Sequence, residues 1–294
     1  MRSMDIRRRP RNAWLVAIPA KVNANVRGRK VGLALRALRE QKGYTADFVA
    51  EQLGCSQGKV SRIELAQSNV GKGDLFLLLD LYGVTELAER ERMWELAREA
   101  RRPGWWERVA PDERLATYVA FEHEAAEIAA WNANVVHGLL QIEQYARALF
   151  LVAPIDRSAE ELERVIQVRM TRQRRIQDGS LKLWWILHES VLERPYGGPE
   201  VFAQQLSHLV AMRNKVTIQV LRKDTARHFN LGAYTIMQFA EAPTVTFLET
   251  VVGELPLDDP SHIPAYQENY NRLRAEALNP SESIEFIEQV RTRL

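Results

Sequence analysis

The sequence predicts a mainly α N-terminal bundle joined to a mixed α+β C-terminal domain, in which helices flank a small sheet. Three observations predict this class of fold. The chain has 294 residues, which is enough for two domains. Its charge is divided between a basic first quarter and an acidic remainder. Its apolar residues follow a helical period up to about residue 180 and include strand-like runs after that.

The uneven charge indicates a separate N-terminal module. Residues 1–72 contain 15 Lys and Arg and 5 Asp and Glu, a net charge of +10, so the net +2 of the whole chain leaves −8 for the rest. A basic block of this kind is typical of a nucleic-acid-binding module. A solvated basic face would have the same composition, so the motif inside the block decides between the two.

Apolar spacing, caps and stop signals predict five helices in the basic block and the segment after it. They cover Gly32–Gln41, Ala46–Leu53, Gln57–Leu65, a helix that begins at Asp74, and Glu86–Ala100. Thr45 and Ser56 are the expected N-caps of the second and third helices, and Gly54 ends the second. Two short helices joined by a three-residue turn form a helix-turn-helix. The N-terminal module is therefore expected to be a helix-turn-helix bundle.

The segment Thr45–Ser56, together with Lys59–Glu64, resembles the XRE-type helix-turn-helix of phage repressors and their bacterial relatives. The spacing of five residues carries the resemblance: Ala50, Gly54, Ser56, Ile63 and Glu64. Two positions differ, because Ala46 replaces a common phosphate-contacting Gln and Ala66 replaces a usual glycine. The resemblance implies a transcription regulator that binds a double-stranded DNA operator.

In such a motif the N-terminal part of the third helix enters the major groove, where solvent-facing side chains reach base edges. The candidate base-reading residues are Gln57, Lys59, Ser61 and Arg62. Other contacts, to phosphates, fix the register without reading sequence. The candidate phosphate-contacting residues are Thr45, Ser56, Arg27, Arg29, Lys30 and Arg36. Glu64 is expected to be structural, because a carboxylate close to phosphates would repel them.

The helix-breaking Pro and Gly of the segment Arg101–Gly104 indicate a domain boundary. We expect a basic flexible arm at residues 1–28, a helix-turn-helix domain at 29–101, and a C-terminal domain for sensing or partner binding and dimerisation at 102–294. The predicted helices of the last domain are Tyr118–Trp131, Leu139–Leu151, Ala159–Gln177, Pro199–Asn214, Ser261–Ala277 and Ser281–Arg293. Its predicted strands are Leu181–Leu187, Val216–Leu221, Ala233–Phe239 and Thr244–Glu249.

The stretch Gly138–Ala148, with Tyr118, Glu122 and Trp131 before it, resembles the C-terminal domain of WhiJ-like actinobacterial regulators. The resemblance continues to about Glu254, with His137 at a position where that family often has Pro. It implies a transcription regulator, often paired with a small partner protein encoded beside it in an arrangement similar to toxin and antitoxin. A repressor or an antitoxin-like regulator is therefore expected.

Three hypotheses about the C-terminal domain stay open from the sequence. The domain senses a small-molecule effector in an apolar pocket, it binds a small protein partner, or it is an enzyme tethered to DNA. The enzyme is the least favoured hypothesis. His188-Glu189 begins like a zincin motif but lacks its second His, and the sequence contains no G-x-S-x-G nucleophile elbow, P-loop or G-x-G-x-x-G motif. No metal or other cofactor is expected.

The remaining expectations concern compartment and assembly. The single cysteine, Cys55, excludes an internal disulfide framework, and no apolar run reaches the roughly 18 residues of a membrane span. We therefore expect a cytoplasmic protein without a membrane partner. Proteins with one short recognition helix usually place two copies on neighbouring half-sites, so a homodimer is expected. Its contact is expected in the two closing helices, Ser261–Ala277 and Ser281–Arg293.

Overall fold

The computed structural model describes residues 26–153, 155, 157–225, 232–240, 242–250, 253–257 and 261–294. The predicted basic arm at residues 1–28 lies outside them apart from residues 26–28. Within the described residues, a bundle of five α-helices comes first, and a six-stranded mixed sheet flanked by helices follows it. The fold class predicted from the sequence is confirmed.

The helices of the N-terminal bundle occur in the predicted order. They are α1 (Val26–Gln41), α2 (Ala46–Gln52), α3 (Gln57–Glu64), α4 (Lys72–Leu81) and α5 (Leu87–Glu99). Leu35 of α1, Val49 of α2 and Leu75 of α4 are fully buried and lie in one apolar core. Helix α1 begins at Val26 instead of the predicted Gly32, so it has more than one additional turn at its start.

The C-terminal domain contains the sheet and seven further α-helices among its described residues. The helices are α6 (Glu113–Glu124), α7 (Glu143–Val152), α8 (Ala159–Arg172), α9 (Arg174–Gln177), α10 (Pro199–Ala211), α11 (Ile263–Glu276) and α12 (Pro280–Arg291). The strands are β1 (Glu127–Asn132), β2 (Lys182–His188), β3 (Thr217–Leu221), β4 (Tyr234–Gln238), β5 (Val245–Thr250) and β6 (Gly253–Leu257).

The sheet has the strand order β3-β2-β1-β4-β5-β6. Strands β1, β2 and β3 are parallel to one another, whereas β4, β5 and β6 continue the sheet in antiparallel pairs. Strand β1 is therefore central, and its Ala130 pairs with Trp185 of β2 on one side and Thr235 of β4 on the other. Helices on both faces make this a buried sheet of the mixed α+β class.

One prediction about these elements is wrong, and one strand was not predicted. The predicted helix Tyr118–Trp131 is helical only up to Glu124, and its last part is strand β1. A short apolar run such as Ile128–Trp131 has the same spacing in a buried helix and in a central strand, so periodicity could not distinguish them. Strand β6 was not predicted, because its Glu254 and Pro256 are typical of a sheet edge rather than of an apolar strand.

The predicted closing helices are present as α11 and α12, and their apolar sides complete the core. Tyr270 and Leu273 of α11 pack on one face of the sheet, and Ile287 of α12 packs in the core on the other face. The Ser283 hydroxyl of α12 accepts a hydrogen bond of 3.0 Å from the Val220 amide of β3. These helices cover the sheet with their apolar sides, and the dimer contact expected in this region stays a prediction.

Helix α1 joins the two domains. Val26 is buried in the core of the C-terminal domain, whereas Leu35, further along the same helix, lies in the bundle core. The Arg27 guanidinium forms ion pairs with Glu99 of α5 at 3.3 Å and with Glu124 of α6 at 3.0 Å. One rigid helix therefore contributes to both cores.

Helices α1 and α3 cross with their backbones in contact at Gly32. A Cβ atom at this position would lie 2.4 Å from the Glu64 carbonyl oxygen and 2.8 Å from that of Ile63. Only a residue without a side chain fits such a crossing, because both neighbours are backbone atoms of a packed helix. Gly32 therefore allows the close approach between α1 and α3.

We expect Gly32→Ala to lower the free energy of unfolding by about 1 to 3 kcal/mol, because the new methyl group must push α3 away from α1. Urea unfolding followed by circular dichroism measures this. The matched control is Gly73→Ala in α4, where no atom lies within 4 Å of the new Cβ and alanine favours the helix. Equal stabilities for the two variants would contradict the crossing described above.

Candidate nucleic-acid interface

The turn between α2 and α3 is built by local hydrogen bonds that the sequence predicted. The Thr45 hydroxyl accepts a hydrogen bond of 3.1 Å from the Phe48 amide, and the Ser56 hydroxyl accepts one of 3.3 Å from the Lys59 amide. Gly54, in the turn, has a φ of 62°, which favours glycine. Thr45 therefore caps α2, Ser56 caps α3, and the first turn of each helix is ordered.

Helix α3 has one buried face and one outer face. Val60 and Ile63 are buried in the bundle core, whereas Gln57 and Arg62 are exposed. The Gln57 amide group donates a hydrogen bond of 2.9 Å to the Ser61 hydroxyl, one turn later. The structure thus brings three of the four candidate base-reading residues, Gln57, Ser61 and Arg62, to the accessible side of α3.

Arg62 lies along its own helix. Its Nη1 atom is 3.3 Å from the position that a Cβ at Gly58 would occupy. Because Gly58 carries no side chain, the guanidinium can pass close to the helix backbone while remaining exposed to solvent. An exposed guanidinium in this place has the donors that pair with guanine O6 and N7.

The fourth candidate base-reading residue, Lys59, is directed to α4. Its Nζ atom lies 2.9 Å from the Asp74 carboxylate in the first turn of α4. Both side chains are partly exposed, so the pair contributes little to stability. Lys59 can contact DNA only when it exchanges this carboxylate for a phosphate or a base edge.

The candidate phosphate-contacting residues of α1 fall into two groups. Arg27 is paired with two glutamates, and the Arg29 guanidinium lies 5.5 Å from the centre of the Phe121 ring of α6. These two side chains face the C-terminal domain. Lys30 is partly buried, and Arg36 is exposed and forms an ion pair of 2.8 Å with Glu40 in the same helix. Of the four, Arg36 is the residue whose charge is most accessible from outside.

A residue that the sequence analysis did not single out, Arg39, holds α3 in place. Its Nε and Nη2 atoms donate hydrogen bonds of 2.7 and 2.9 Å to the Glu64 carboxylate, and its Nη1 donates one of 2.7 Å to the Tyr44 carbonyl. The Glu64 hydrogen bond raises the pKa of Arg39. This agrees with the structural role expected for Glu64. No local signal predicted the partner, because the two residues are 25 positions apart.

The end of α3 contains a strained residue. Ala66 has a φ of 55°, a left-handed conformation that an alanine rarely adopts. The Gln67 amide donates a hydrogen bond of 2.7 Å to the Arg62 carbonyl and closes the helix across this residue. Ala66 is the position where the XRE-type pattern usually has glycine, so the chain keeps the turn of that pattern without its preferred residue.

Among the residues that the structure describes, no helix has the length and apolar character needed to cross a lipid bilayer. These residues also contain no group of three or more His, Cys, Asp or Glu side chains that could hold a metal ion.

Comparison with protein families gives two matches that follow the two domains. A family model described as a helix-turn-helix domain matches residues 30–93, and one described as a domain of unknown function, DUF5753, matches residues 115–289. Comparison with curated proteins and with solved structures gave no match. The first match supports a DNA-binding regulator, and the second covers the sheet and most of its helices.

We expect Glu64→Gln to lower the free energy of unfolding by about 2 to 3 kcal/mol, because it leaves the Arg39 guanidinium partly buried without its carboxylate. Thermal unfolding measures the loss. Glu95→Gln is the matched control, since Glu95 pairs with Arg98 at the exposed surface of α5 and its loss should leave stability unchanged. If Glu64→Gln were as stable as the wild type, Arg39 would not hold α3 as described.

Proposed function

The chain belongs to the DUF5753 family and carries a helix-turn-helix domain in front of the family domain, and from this we propose that it is a sequence-specific transcription regulator. We assign it to the XRE type with a WhiJ-like C-terminal domain, acting on operator DNA in the cytoplasm as a repressor or antitoxin-like regulator. The proposed role is not catalytic. Its C-terminal domain receives the signal, from a small protein partner or from an effector.

One observation carries the proposal. The outer face of α3 presents Gln57, Ser61 and Arg62 on a helix that is capped at its start and fixed from behind by Arg39 and Gly32. A rigid helix with amide, hydroxyl and guanidinium groups outside can place several donors and acceptors along a major groove at once. A face used only for solubility would not need such fixed positions.

The proposal predicts a base-reading role for Arg62. Operator DNA is first selected from a random duplex library with the full chain. Arg62→Ala should then weaken operator binding by about 1 to 3 kcal/mol and leave binding to random duplexes almost unchanged. Fluorescence anisotropy measures both affinities. Arg272→Ala on α11, which also removes an exposed arginine, is the control and should bind like the wild type. An equal loss on operator and random DNA would refute base reading.

The Lys59–Asp74 pair gives a second, opposite prediction. Asp74→Asn removes a carboxylate beside α3 and frees Lys59, so binding should become tighter on operator and on random DNA. If the released Lys59 side chain then contacts a DNA phosphate, the slope of log affinity against log salt concentration should become steeper by about one unit. The control is Asp80→Asn at the other end of α4. An unchanged slope would show that Lys59 does not reach the backbone of DNA.

We also propose that the protein binds its operator as a homodimer. Helix α3 has eight residues and can read only a few base pairs, so two copies on half-sites about one DNA turn apart supply the missing specificity. The selected operator should therefore be roughly palindromic. Sedimentation of the full chain at micromolar concentration, with and without operator, measures the stoichiometry. A single chain per operator in both conditions would exclude the dimer.

A further inference from the structure

A cavity of about 660 Å³ lies in the C-terminal domain, among α6, α7, α8 and the β4–β5–β6 part of the sheet. Its volume is within the range of about 300 to 1,000 Å³ that is typical of small-molecule sites. No described residue of α1 to α5 lines it, so it is separate from the DNA interface. Charged and polar side chains line it together with apolar ones, which differs from the apolar pocket considered from the sequence.

One wall of the cavity is cationic. Arg169 of α8 donates a hydrogen bond of 2.8 Å from Nη1 to the Gln141 side chain, and its guanidinium lies 5.0 Å from the centre of the Phe150 ring. Arg157 lies 5.2 Å from the same ring, and its Nη1 is buried with no hydrogen-bond partner among the described residues. No described carboxylate is close enough to form an ion pair with either arginine. Burial lowers the pKa of Arg169 to about 10.

A second wall is anionic. Glu249 of β5 and Glu254 of β6 are direct partners in the antiparallel register, and both line the cavity. Like charges opposite each other destabilise a sheet. The Asn132 amide group donates a hydrogen bond of 3.1 Å to Glu249, but neither glutamate forms an ion pair with a described residue. Glu249 is an exposed residue at the rim of the cavity, and Glu254 is half-buried. Desolvation at the rim and the charge of Glu254 raise the pKa of Glu249, whereas Arg169 lowers it.

A buried ion pair lies next to Arg169 and serves as a comparison. Arg172, one turn after Arg169 in α8, donates hydrogen bonds of 2.7 and 2.5 Å to the Glu122 carboxylate, and both residues are buried. Arg172 and Arg169 share a helix and a cavity wall, yet within the described chain only Arg172 forms a direct ion pair. Arg169 interacts with Glu249 and Glu254 at longer range across the cavity. Opposite charges that line one concave site without direct contact can each bind the complementary charge of a ligand placed between them.

From this arrangement we propose that the cavity binds a small zwitterionic molecule. Its anionic group lies at Arg169 and Arg157, and its protonated amine lies at Glu249 and Glu254. The apolar side chains between the walls, among them Leu149 and Phe247, contact the body of the molecule. The inference deepens the proposed effector role. Binding is measured without DNA, so its failure is distinguishable from a failure of DNA binding.

The test uses four forms of the tripeptide Ala-Leu-Ala as probes: with free termini, N-acetylated, C-amidated, and blocked at both ends. These probes differ only in charge. At millimolar concentration the free form should raise the Tm of the full chain by about 2 °C or more, and the blocked form should not. Removal of either charge should reduce the shift. Equal shifts for all four forms, or no shift for the free form, would overturn the proposal.

Two variants connect the shift to the two walls. Arg169→Met should abolish the shift, whereas Arg147→Met, which removes a partly exposed arginine outside the cavity that pairs with Glu143 and Glu163, should keep it. Glu249→Gln should also lose the shift, but it should raise the Tm of the unliganded chain because it removes one of two opposed charges. If Glu249→Gln instead lowered that Tm, Glu249 would be a structural residue and the proposal would be wrong.

Discussion

The arrangement of this molecule depends on one helix that is shared by two cores. Val26, at the start of α1, is buried with the C-terminal domain, and Leu35, two and a half turns later, is buried with the bundle. The two ends of an α-helix keep a fixed position relative to each other, because its backbone hydrogen bonds allow only slight bending. The bundle is therefore held against α6, with the Arg27 ion pairs to Glu99 and Glu124 across the joint.

This joint changes how the basic charge of the first quarter is used. Arg27 and Arg29 face the C-terminal domain, so part of the charge that indicated nucleic-acid binding stabilises the contact between domains. The proposed contact with DNA then depends mainly on the outer face of α3. That face is positioned by contacts from behind, the Gly32 crossing and the Arg39–Glu64 hydrogen bonds, and not by the residues that would meet DNA.

The C-terminal domain combines a rigid sheet with a polar cavity beside it. The buried Arg172–Glu122 pair ties α8 to α6, and the parallel part of the sheet is covered on both faces. Arg169 of α8 and Glu249 of β5, which form no direct ion pair with a described residue, line the cavity beside the antiparallel end of the sheet. The close packing and the cavity charges are therefore in different parts of the domain, so a ligand at the proposed site would not disturb the parallel part of the sheet.

The sequence by itself determined the features that depend on neighbours along the chain. The caps Thr45 and Ser56, the turn at Gly54 and the accessible face of α3 follow from local hydrogen bonds and helical spacing. Only the tertiary structure decided the rest. The segment Ile128–Trp131 is a strand because β2 and β4 pair with it on either side. Arg172 forms an ion pair because α6 places Glu122 beside it, whereas Arg169, on the same helix, contacts Gln141. Local sequence does not contain these contacts, because they join residues that are far apart in the chain.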